Sequence, residues 1–341
     1  MKGIRQCMML LTVLLGLGQV VGATALTPAW ETVQSGGGGF LRGVDFIDSN
    51  TGWVVGEQGV ILRTLDGGNN WEPLNGGTTQ NLRNVDFVDS NTGWVAGDTR
   101  RTLDGGDSWT NISPPGRHVT FLDTNTGWIV GSSGQIFHTK QDGVWNLQFS
   151  GTSNLLNSVD FTDANTGWTV GTNGTVLHTT NGGATWFPQN SNISNSLWAV
   201  DFIDSSTGWA AGTNGTILHT VDGGANWNLQ DTPRQGNVEG TLWNITFINP
   251  STGWVVGNDG EILHTKNGGT TWNPQVSGTT EILYDIAYDG DTTLWAVGFN
   301  NTILKYTDPS IPEPSTLILF LAGIFGISGY GYCHKHRKNT T

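Results

Sequence analysis

Most arginines of this chain lie close together in the sequence. Six of them fall between positions 42 and 117, namely Arg42, Arg63, Arg83, Arg100, Arg101 and Arg117. A guanidinium binds a carboxylate through two parallel hydrogen bonds, so clustered arginines are suited to docking an acidic partner. We predict that this set contributes to a surface that binds a protein partner. The alternative is that these are solvated charges paired with local aspartates.

The charge of the rest of the chain makes this stretch unusual. Of 15 basic and 28 acidic residues, five basic residues and one acidic residue lie in the two chain ends, so segment 26–308 has a net charge of 10 − 27 = −17. A segment this acidic repels nucleic acid and anionic lipid. We therefore expect no nucleic acid partner.

A second series of basic residues has one member in each repeat, just before a recurring turn. Its members are Arg63, Arg101, His138, His178, His219, His264 and Lys305. Four members are histidines, so one interpretation is a ring that responds to pH. We favour a structural interpretation, in which each side chain packs on a neighbouring tryptophan or bonds a turn carbonyl. Metal chelation is not expected, because equivalent positions of different repeats should be too far apart.

The elements that position these residues come from an internal repeat. The triplet Thr-Gly-Trp occurs six times, and a degenerate seventh copy ends at Trp295, with 34 to 45 residues between successive tryptophans. This period is typical of a β-propeller blade of four short strands. In the unit 197–230 we predict strands over 197–202, 208–212 and 216–220, and an outer strand that begins at Trp227.

A turn motif recurs in register with these units. The Asp-box pattern, Ser/Thr-x-Asp-x-Gly-x-x-Trp, fits 64–71, 102–109 and 220–227; it fits 179–186 and 265–272 with Asn in the Asp position, and 139–145 is one residue short. The short polar side chain bonds turn amides, glycines adopt positive φ, and the tryptophan packs under the turn. The motif indicates a folding device rather than an activity.

The chain ends complete the predicted ring. The seventh unit stops near residue 308 without an Asp-box or an outer strand, whereas the segment 30–36 is similar to 272–278. We predict that the N-terminal segment supplies the missing outer strand and closes the ring, which removes an open sheet edge. The predicted fold is an all-β, seven-bladed β-propeller over 26–308.

Both termini carry targeting patterns. Residues 1–25 have a basic start, an apolar stretch and a small-residue cleavage site, as in a signal peptide. The segment 309–341 contains Pro312, Glu313 and Pro314, an apolar run over 316–332 and a basic tail. The apolar run is long enough for a short transmembrane segment, with the propeller outside the cytoplasmic membrane, in the periplasm or at the cell surface.

This C-terminal arrangement resembles the Pro-Glu-Pro sorting signal of certain bacteria, which implies recognition by an exosortase-type protease. The simpler alternative is a plain membrane anchor. Both cysteines, Cys7 and Cys333, fall in the end segments, so no disulfide is expected in the propeller.

Other chemistry is weakly indicated. Asp48 to Gly52 and its copies are similar to the start of a calcium loop but lack the downstream Glu, which favours a turn.

Asp-boxes also occur in sialidases, which use three arginines and a tyrosine nucleophile. Segment 26–308 has only three tyrosines and carries no serine-nucleophile, zinc or phosphate-loop motif. We predict no catalytic residues, no metal and no cofactor.

The repeat also resembles a known family. Units of the form Val-Asp-Phe-x-Asp-x-x-Thr-Gly-Trp-x-x-Gly, at 44–56, 85–97, 159–171 and 200–212, are similar to those of photosystem II stability and assembly factors. The resemblance implies a non-catalytic seven-bladed propeller that binds a protein through an arginine-rich patch. Photosynthetic members help a new reaction-centre protein enter photosystem II on the lumenal side. Bacterial members of that kind are typically N-terminal lipoproteins, whereas this chain has no cysteine at the predicted cleavage site, since Cys7 lies too early.

The leading hypothesis is an exported scaffold that binds a protein partner. A second hypothesis, suggested by the sorting tail, is a surface or matrix protein that binds exopolysaccharide. A third, from the Asp-boxes, is a sialidase-like glycosidase.

Overall fold

The computed structural model describes residues 29–34, 37–141, 143–237 and 240–307. The predicted signal peptide 1–25, the sorting residues Pro312, Glu313 and Pro314, and the apolar segment 316–332 lie outside these ranges. Within the described ranges, no helix has the length and apolar character needed to cross a bilayer.

The described residues form seven four-stranded antiparallel sheets, which confirms the predicted seven-bladed β-propeller. The first three blades consist of β2 (Leu41–Phe46), β3 (Gly52–Gly56), β4 (Val60–Thr64) and β5 (Glu72–Asn75); β6 (Asn84–Phe87), β7 (Gly93–Ala96), β8 (Arg100–Thr102) and β9 (Thr110–Asn111); and β10 (His118–Phe121), β11 (Gly127–Val130), β12 (Ile136–Thr139) and β13 (Asn146–Gln148).

The next three blades have the same order. They consist of β14 (Leu156–Phe161), β15 (Gly167–Gly171), β16 (Val176–Thr179) and β17 (Phe187–Gln189); β18 (Leu197–Phe202), β19 (Gly208–Gly212), β20 (Ile217–Thr220) and β21 (Asn228–Leu229); and β22 (Leu242–Phe247), β23 (Gly253–Gly257), β24 (Ile262–Thr265) and β25 (Asn273–Gln275). The strands predicted in the unit 197–230 are confirmed, except that the third and fourth begin one residue later.

The seventh blade is closed by the N-terminal segment, as predicted. It consists of β26 (Leu283–Tyr288), β27 (Thr293–Gly298), β28 (Ile303–Thr307) and β1 (Trp30–Gln34), and β1 pairs with β28 in antiparallel register. The Trp30 indole N–H donates to Gln275 Oε1 of blade 6 at 2.9 Å. Trp186 makes the same contact with Gln148 at 3.0 Å, so Trp30 replaces the tryptophan of the missing Asp-box.

The core lies between blades rather than within them. In blade 4, Trp168 is fully buried, and its ring stacks on Phe202 of blade 5 with 3.5 Å between centroids. Its indole N–H donates to the carbonyl of Gly223, in the Asp-box of blade 5, at 2.9 Å. Such aromatic pairs contribute about 0.5–1.5 kcal/mol beyond the area that they bury. The tryptophan of the Thr-Gly-Trp triplet in blade 4 therefore joins that blade to blade 5.

The Asp-box holds its turn as the sequence predicts. In blade 5, Asp222 Oδ1 accepts hydrogen bonds from Thr220 Oγ1 at 2.8 Å and from the Asn226 amide at 2.9 Å. Gly224 has φ +86°, and a Cβ there would lie 2.0 Å from Gln189 Oε1 of blade 4. The turn thus needs glycine both for its backbone conformation and for its close approach to the preceding blade.

The mouth of the central channel as candidate functional site

Seven equivalent residues surround one mouth of the central channel. Each lies two positions before a buried Val or Ile of an innermost strand, at the end where that strand begins. In blade order they are Arg42, Arg83, Arg117, Asn157, Trp198, Trp243 and Tyr284, and we call this set the mouth ring. Three successive blades supply arginine, and three successive blades supply an aromatic residue. The mouth is therefore cationic on one side and aromatic on the other.

The arginine side carries uncompensated positive charge. Arg42 forms an ion pair with Glu57 at 2.5 Å, but among the described residues neither Arg83 nor Arg117 has an acidic partner. Burial, together with the nearby guanidinium groups of Arg83 and Arg42, lowers the pKa of Arg117 to about 10. The three arginines are thus close enough to repel one another. An anionic group that entered the mouth would relieve this repulsion.

The aromatic side forms a continuous series of ring contacts. Centroids of Trp198 and Trp243 are 4.6 Å apart, those of Trp243 and Tyr284 are 5.4 Å apart, and Phe40 lies 6.4 Å beyond Tyr284. These rings are partly buried. Two arginines connect the sides, since the Arg42 guanidinium lies 4.0 Å from the Tyr284 ring and that of Arg117 lies 4.9 Å from the Trp198 ring.

Between the two sides is a small cavity. Its volume is about 80 Å³, and Arg42, Arg83, Arg117, Trp198, Trp243 and Tyr284 are among the residues that line it. This volume holds several water molecules, so a single side chain fits but a helix does not. The shape favours a ligand that inserts one or two groups into the mouth.

The channel below the mouth is acidic, but its carboxylates accept hydrogen bonds from backbone amides of neighbouring blades. Asp45, Asp160 and Asp201 accept hydrogen bonds at 2.7 Å from the amides of Phe87, Phe202 and Phe247 in the following blades. These aspartates fix the innermost strands relative to one another. They also limit how far an anionic group can enter the channel.

The other three predicted arginines lie outside the mouth. Arg63 donates to the carbonyl of Gly105 at 3.1 Å and forms an ion pair with Asp107 at 2.8 Å. Arg100 pairs with Asp98 at 2.8 Å. Arg101 lies over the ring of Trp94 at 5.6 Å. The six arginines thus divide into three that meet at the mouth and three that lie within or between blades.

The second basic series has the structural role that we favoured. Each member is the cross-strand neighbour of a Thr-Gly-Trp or equivalent tryptophan in its own blade. We call this set the seam ring: Arg63, Arg101, His138, His178, His219, His264 and Lys305. The four histidines stack on their tryptophans with 4.4–4.7 Å between centroids. Lys305 lies over Trp295 at 5.0 Å and donates to the Gly67 carbonyl of blade 1 at 3.0 Å.

Burial keeps histidines of the seam ring neutral near pH 7. It lowers the pKa of His178 and His219, and burial together with nearby Lys140 lowers the pKa of His138 to about 4. These groups therefore do not titrate around physiological pH.

The Asp48 segment is a turn, as we favoured. Asp48 Oδ1 accepts hydrogen bonds from the amides of Asn50 and Thr51, both at 2.8 Å. Over the described part of the chain, no group of three or more His, Cys, Asp or Glu side chains is placed to hold a metal ion.

The aromatic side of the mouth is not among the residues predicted from the sequence. Trp198, Trp243 and Tyr284 nevertheless occupy the same position of the repeat as Arg42, Arg83 and Arg117. Aligning the units on the following Val or Ile would have revealed this position. Phe40 has no such signal, because the backbone before blade 1 brings it to the mouth.

Comparison with known proteins identifies the family. The family model for photosynthesis system II assembly factor YCF48 matches residues 23–144, 117–188, 141–228 and 188–277. The chain belongs to the YCF48 family. These overlapping matches cover the first six blades and the closing strand. No curated protein matches the sequence.

Several solved structures share the fold. A structure of YCF48 bound to a D1 peptide is 24% identical, covers 82% of this chain and 95% of its own, and has a TM-score of 0.69. YCF48 from Cyanidioschyzon merolae is 25% identical, covers 82% and 98%, and has a TM-score of 0.67. A catalytically inactive virginiamycin B lyase from Staphylococcus aureus is only 13% identical, with 83% and 100% coverage and a TM-score of 0.69, and shares the fold alone.

Proposed function

We propose that this member of the YCF48 family is an exported, non-catalytic scaffold that binds a protein partner at the mouth of its propeller. Family membership supports a role of the assembly-factor type. The similar YCF48 structure that holds a D1 peptide supports a peptide segment as the bound element.

One observation carries the proposal. Arg83 and Arg117 lack an acidic partner among the described residues, although segment 26–308 has 27 acidic residues against 10 basic ones. A guanidinium as buried as Arg117 is stabilised when a carboxylate forms two hydrogen bonds with it. The partner supplies that carboxylate.

The proposed location rests on the chain ends. A signal peptide over 1–25 directs export, and the tail that contains Pro312, Glu313 and Pro314 is recognised by an exosortase-type protease. Mass spectrometry of the protein isolated from its host tests this. A mature N-terminus near residue 26 and a C-terminus near residue 312 are expected, and an intact N-terminus would contradict export by this signal.

A pull-down from host envelope extract tests the partner and the site together. The bait is the full-length protein, compared with the double variant Arg83→Gln/Arg117→Gln. The control Lys140→Gln/Lys266→Gln removes the same charge from two exposed residues next to Asp-box turns, away from the mouth. The wild type and the control should retain one protein that the arginine variant loses.

Two other results would redirect the proposal. Retention of the same protein by all three baits would exclude the mouth arginines as its binding site. Recovery of polysaccharide and no protein would replace the scaffold with the exopolysaccharide-binding hypothesis.

One observation favours a second candidate, a glycosidase that acts on an acidic sugar. Tyr284 lies near Glu57 and faces three arginines across the mouth, as in a site with a tyrosine nucleophile. Two features oppose it. Burial, the largest influence, raises the pKa of Tyr284, and Arg42 engages the Glu57 carboxylate that would have to act as base.

Hydrolysis of a fluorogenic sialoside tests this second candidate. The scaffold proposal predicts no release above that of Tyr284→Phe. Release by the wild type that the variant abolishes would establish the glycosidase.

A further inference from the structure

The aromatic side of the mouth ring is not required by the fold. The same position is Asn157 in blade 4 and the exposed Arg83 in blade 2, so the blade tolerates a small or a charged side chain there. The core uses its flanking residues instead. Leu197 and Ala199, on either side of Trp198, are buried while Trp198 itself is only partly buried.

The two sides are close enough to be contacted by one ligand. The Arg42 and Arg117 guanidinium groups lie 4.0 and 4.9 Å from the rings of Tyr284 and Trp198. A carboxylate bound to either arginine is therefore within one side-chain length of an aromatic face. In an extended peptide, residues i and i+2 point the same way and are about 6.6 Å apart.

We infer that the mouth binds protein segments in which an acidic residue has a ring-bearing residue within three positions of it. The ring-bearing residue is Phe, Tyr, Trp or Pro. The arginine side binds the carboxylate, and Trp198, Trp243 and Tyr284 stack against the ring. The inference rests on the proposed function, since it takes the occupant to be a protein segment. It adds that Trp198 and Trp243 determine which acidic segments are accepted.

The charge and size of the site favour such a segment over a flat acidic surface. The cavity of about 80 Å³ admits single side chains, and its two unpaired arginines lie next to three rings. A flat acidic surface would neutralise the arginines but leave the rings uncovered. A peptide with adjacent acid and ring fills both sides.

Selection from a displayed library of random 12-residue peptides tests the inference. The full-length protein is compared with Arg83→Gln/Arg117→Gln and with Trp198→Asn/Trp243→Asn, in which the new residue is the one that blade 4 already carries. Wild-type selection should enrich Asp or Glu with a ring-bearing neighbour. The arginine variant should lose the acid, and the tryptophan variant should keep the acid and lose the ring.

Affinities for one selected peptide make the test quantitative. Replacing its ring-bearing residue by Ala should weaken binding to the wild type about tenfold, and by less than about twofold to Trp198→Asn/Trp243→Asn. Trp243→Phe retains a ring and should retain the preference. Circular dichroism melts of all variants show that binding is compared between folded proteins.

The outcomes separate the two proposals. Enrichment of acid without a ring, or an unchanged ring preference in the tryptophan variant, would overturn the inference and leave the proposed function intact. If the wild type enriched no peptide that the arginine variant did not, both would fail.

Discussion

The mouth ring and the seam ring each contain one residue per blade, but the contacts of that residue are similar between blades only in the seam ring. The seam ring contains arginine, histidine and lysine, but each member is the cross-strand neighbour of a tryptophan in its own blade. In the mouth ring both the residue type and the contact change between blades. Repetition with a constant contact indicates structure, and repetition with changing contacts indicates a site.

The physical reason lies in the neighbours of each position. A seam-ring residue is paired across the strand with a fully buried tryptophan, so its side chain must cover that ring. A mouth-ring residue lies at the channel opening between two core positions, and six of the seven are partly buried or exposed, whereas Asn157 is buried and donates to the Leu197 carbonyl of blade 5 at 2.7 Å. Selection can act there for a ligand without loss of the fold.

The largest expected difference between the two regions is in stability. Trp168→Ala removes a fully buried ring that stacks on Phe202 and donates to Gly223, and it should lower the free energy of unfolding by about 3–5 kcal/mol. Trp198→Asn at the mouth should cost only about 1 kcal/mol. Denaturant unfolding of both variants measures this, and similar losses would show that the mouth tryptophan belongs to the core.

Acid should act on the seam ring at pH values that leave the mouth charges unchanged. Because burial lowers the pKa of His138, His178 and His219 in the folded state, the unfolded chain binds more protons below about pH 6.5, and stability decreases as the pH falls; for His138 this continues to about pH 4. For His138 alone the loss between pH 7 and pH 5 is roughly 1–2 kcal/mol. Melting temperatures at pH 7 and pH 5 test this, and His138→Gln should flatten the dependence.

Carboxylates of the Asp-boxes should not contribute in that window. Hydrogen bonds lower the pKa of Asp66 and Asp222, and that of Asp104 to about 2, so their stabilisation is lost only as pH falls below about 3.8. A pH dependence between 7 and 5 that persisted in the triple variant His138→Gln/His178→Gln/His219→Gln would assign the effect to groups other than these three histidines.

The smallest expected effect comes from exchanging residues within the repeat. In Asp222→Asn the Asp-box of blade 5 acquires the residue of blade 4, where Asn181 Oδ1 accepts from the Thr185 amide at 2.9 Å. The melting temperature at pH 7 should fall less than in the preceding changes, and binding should be unchanged. A large loss of stability would mean that the Asp and Asn boxes are not equivalent.

The sequence was sufficient for the architecture because the repeat encodes it locally. The spacing of Thr-Gly-Trp, the Asp-box turns and the similarity between 30–36 and 272–278 predicted the seven blades and their closure. It was sufficient for only half of the candidate site. The predicted set contains Arg42, Arg83 and Arg117, which lie at the mouth. It also contains Arg63, Arg100 and Arg101, which instead contact Asp107, Asp98 and the Trp94 ring within or between blades.

The missing half depended on which end of each strand faces the channel mouth. Trp198, Trp243 and Tyr284 lie far from Arg42 in sequence, and only ring closure brings blade 7 next to blade 1. Stacking of Arg117 on Trp198, across the intervening blade, depends on the small side chain of Asn157 between them. Such contacts across the ring are set by its curvature, which the repeat length does not specify.

Site-specific photo-crosslinking in the host tests the central claim most directly. A benzoylphenylalanine replaces either Tyr284, a partly buried aromatic residue of the mouth ring, or Thr180, an exposed residue in the Asp-box of blade 4. We predict a cross-linked protein partner from position 284 that is lost with Arg83→Gln/Arg117→Gln, and none from position 180. The same partner captured from position 180 and not from position 284 would contradict the proposed binding site.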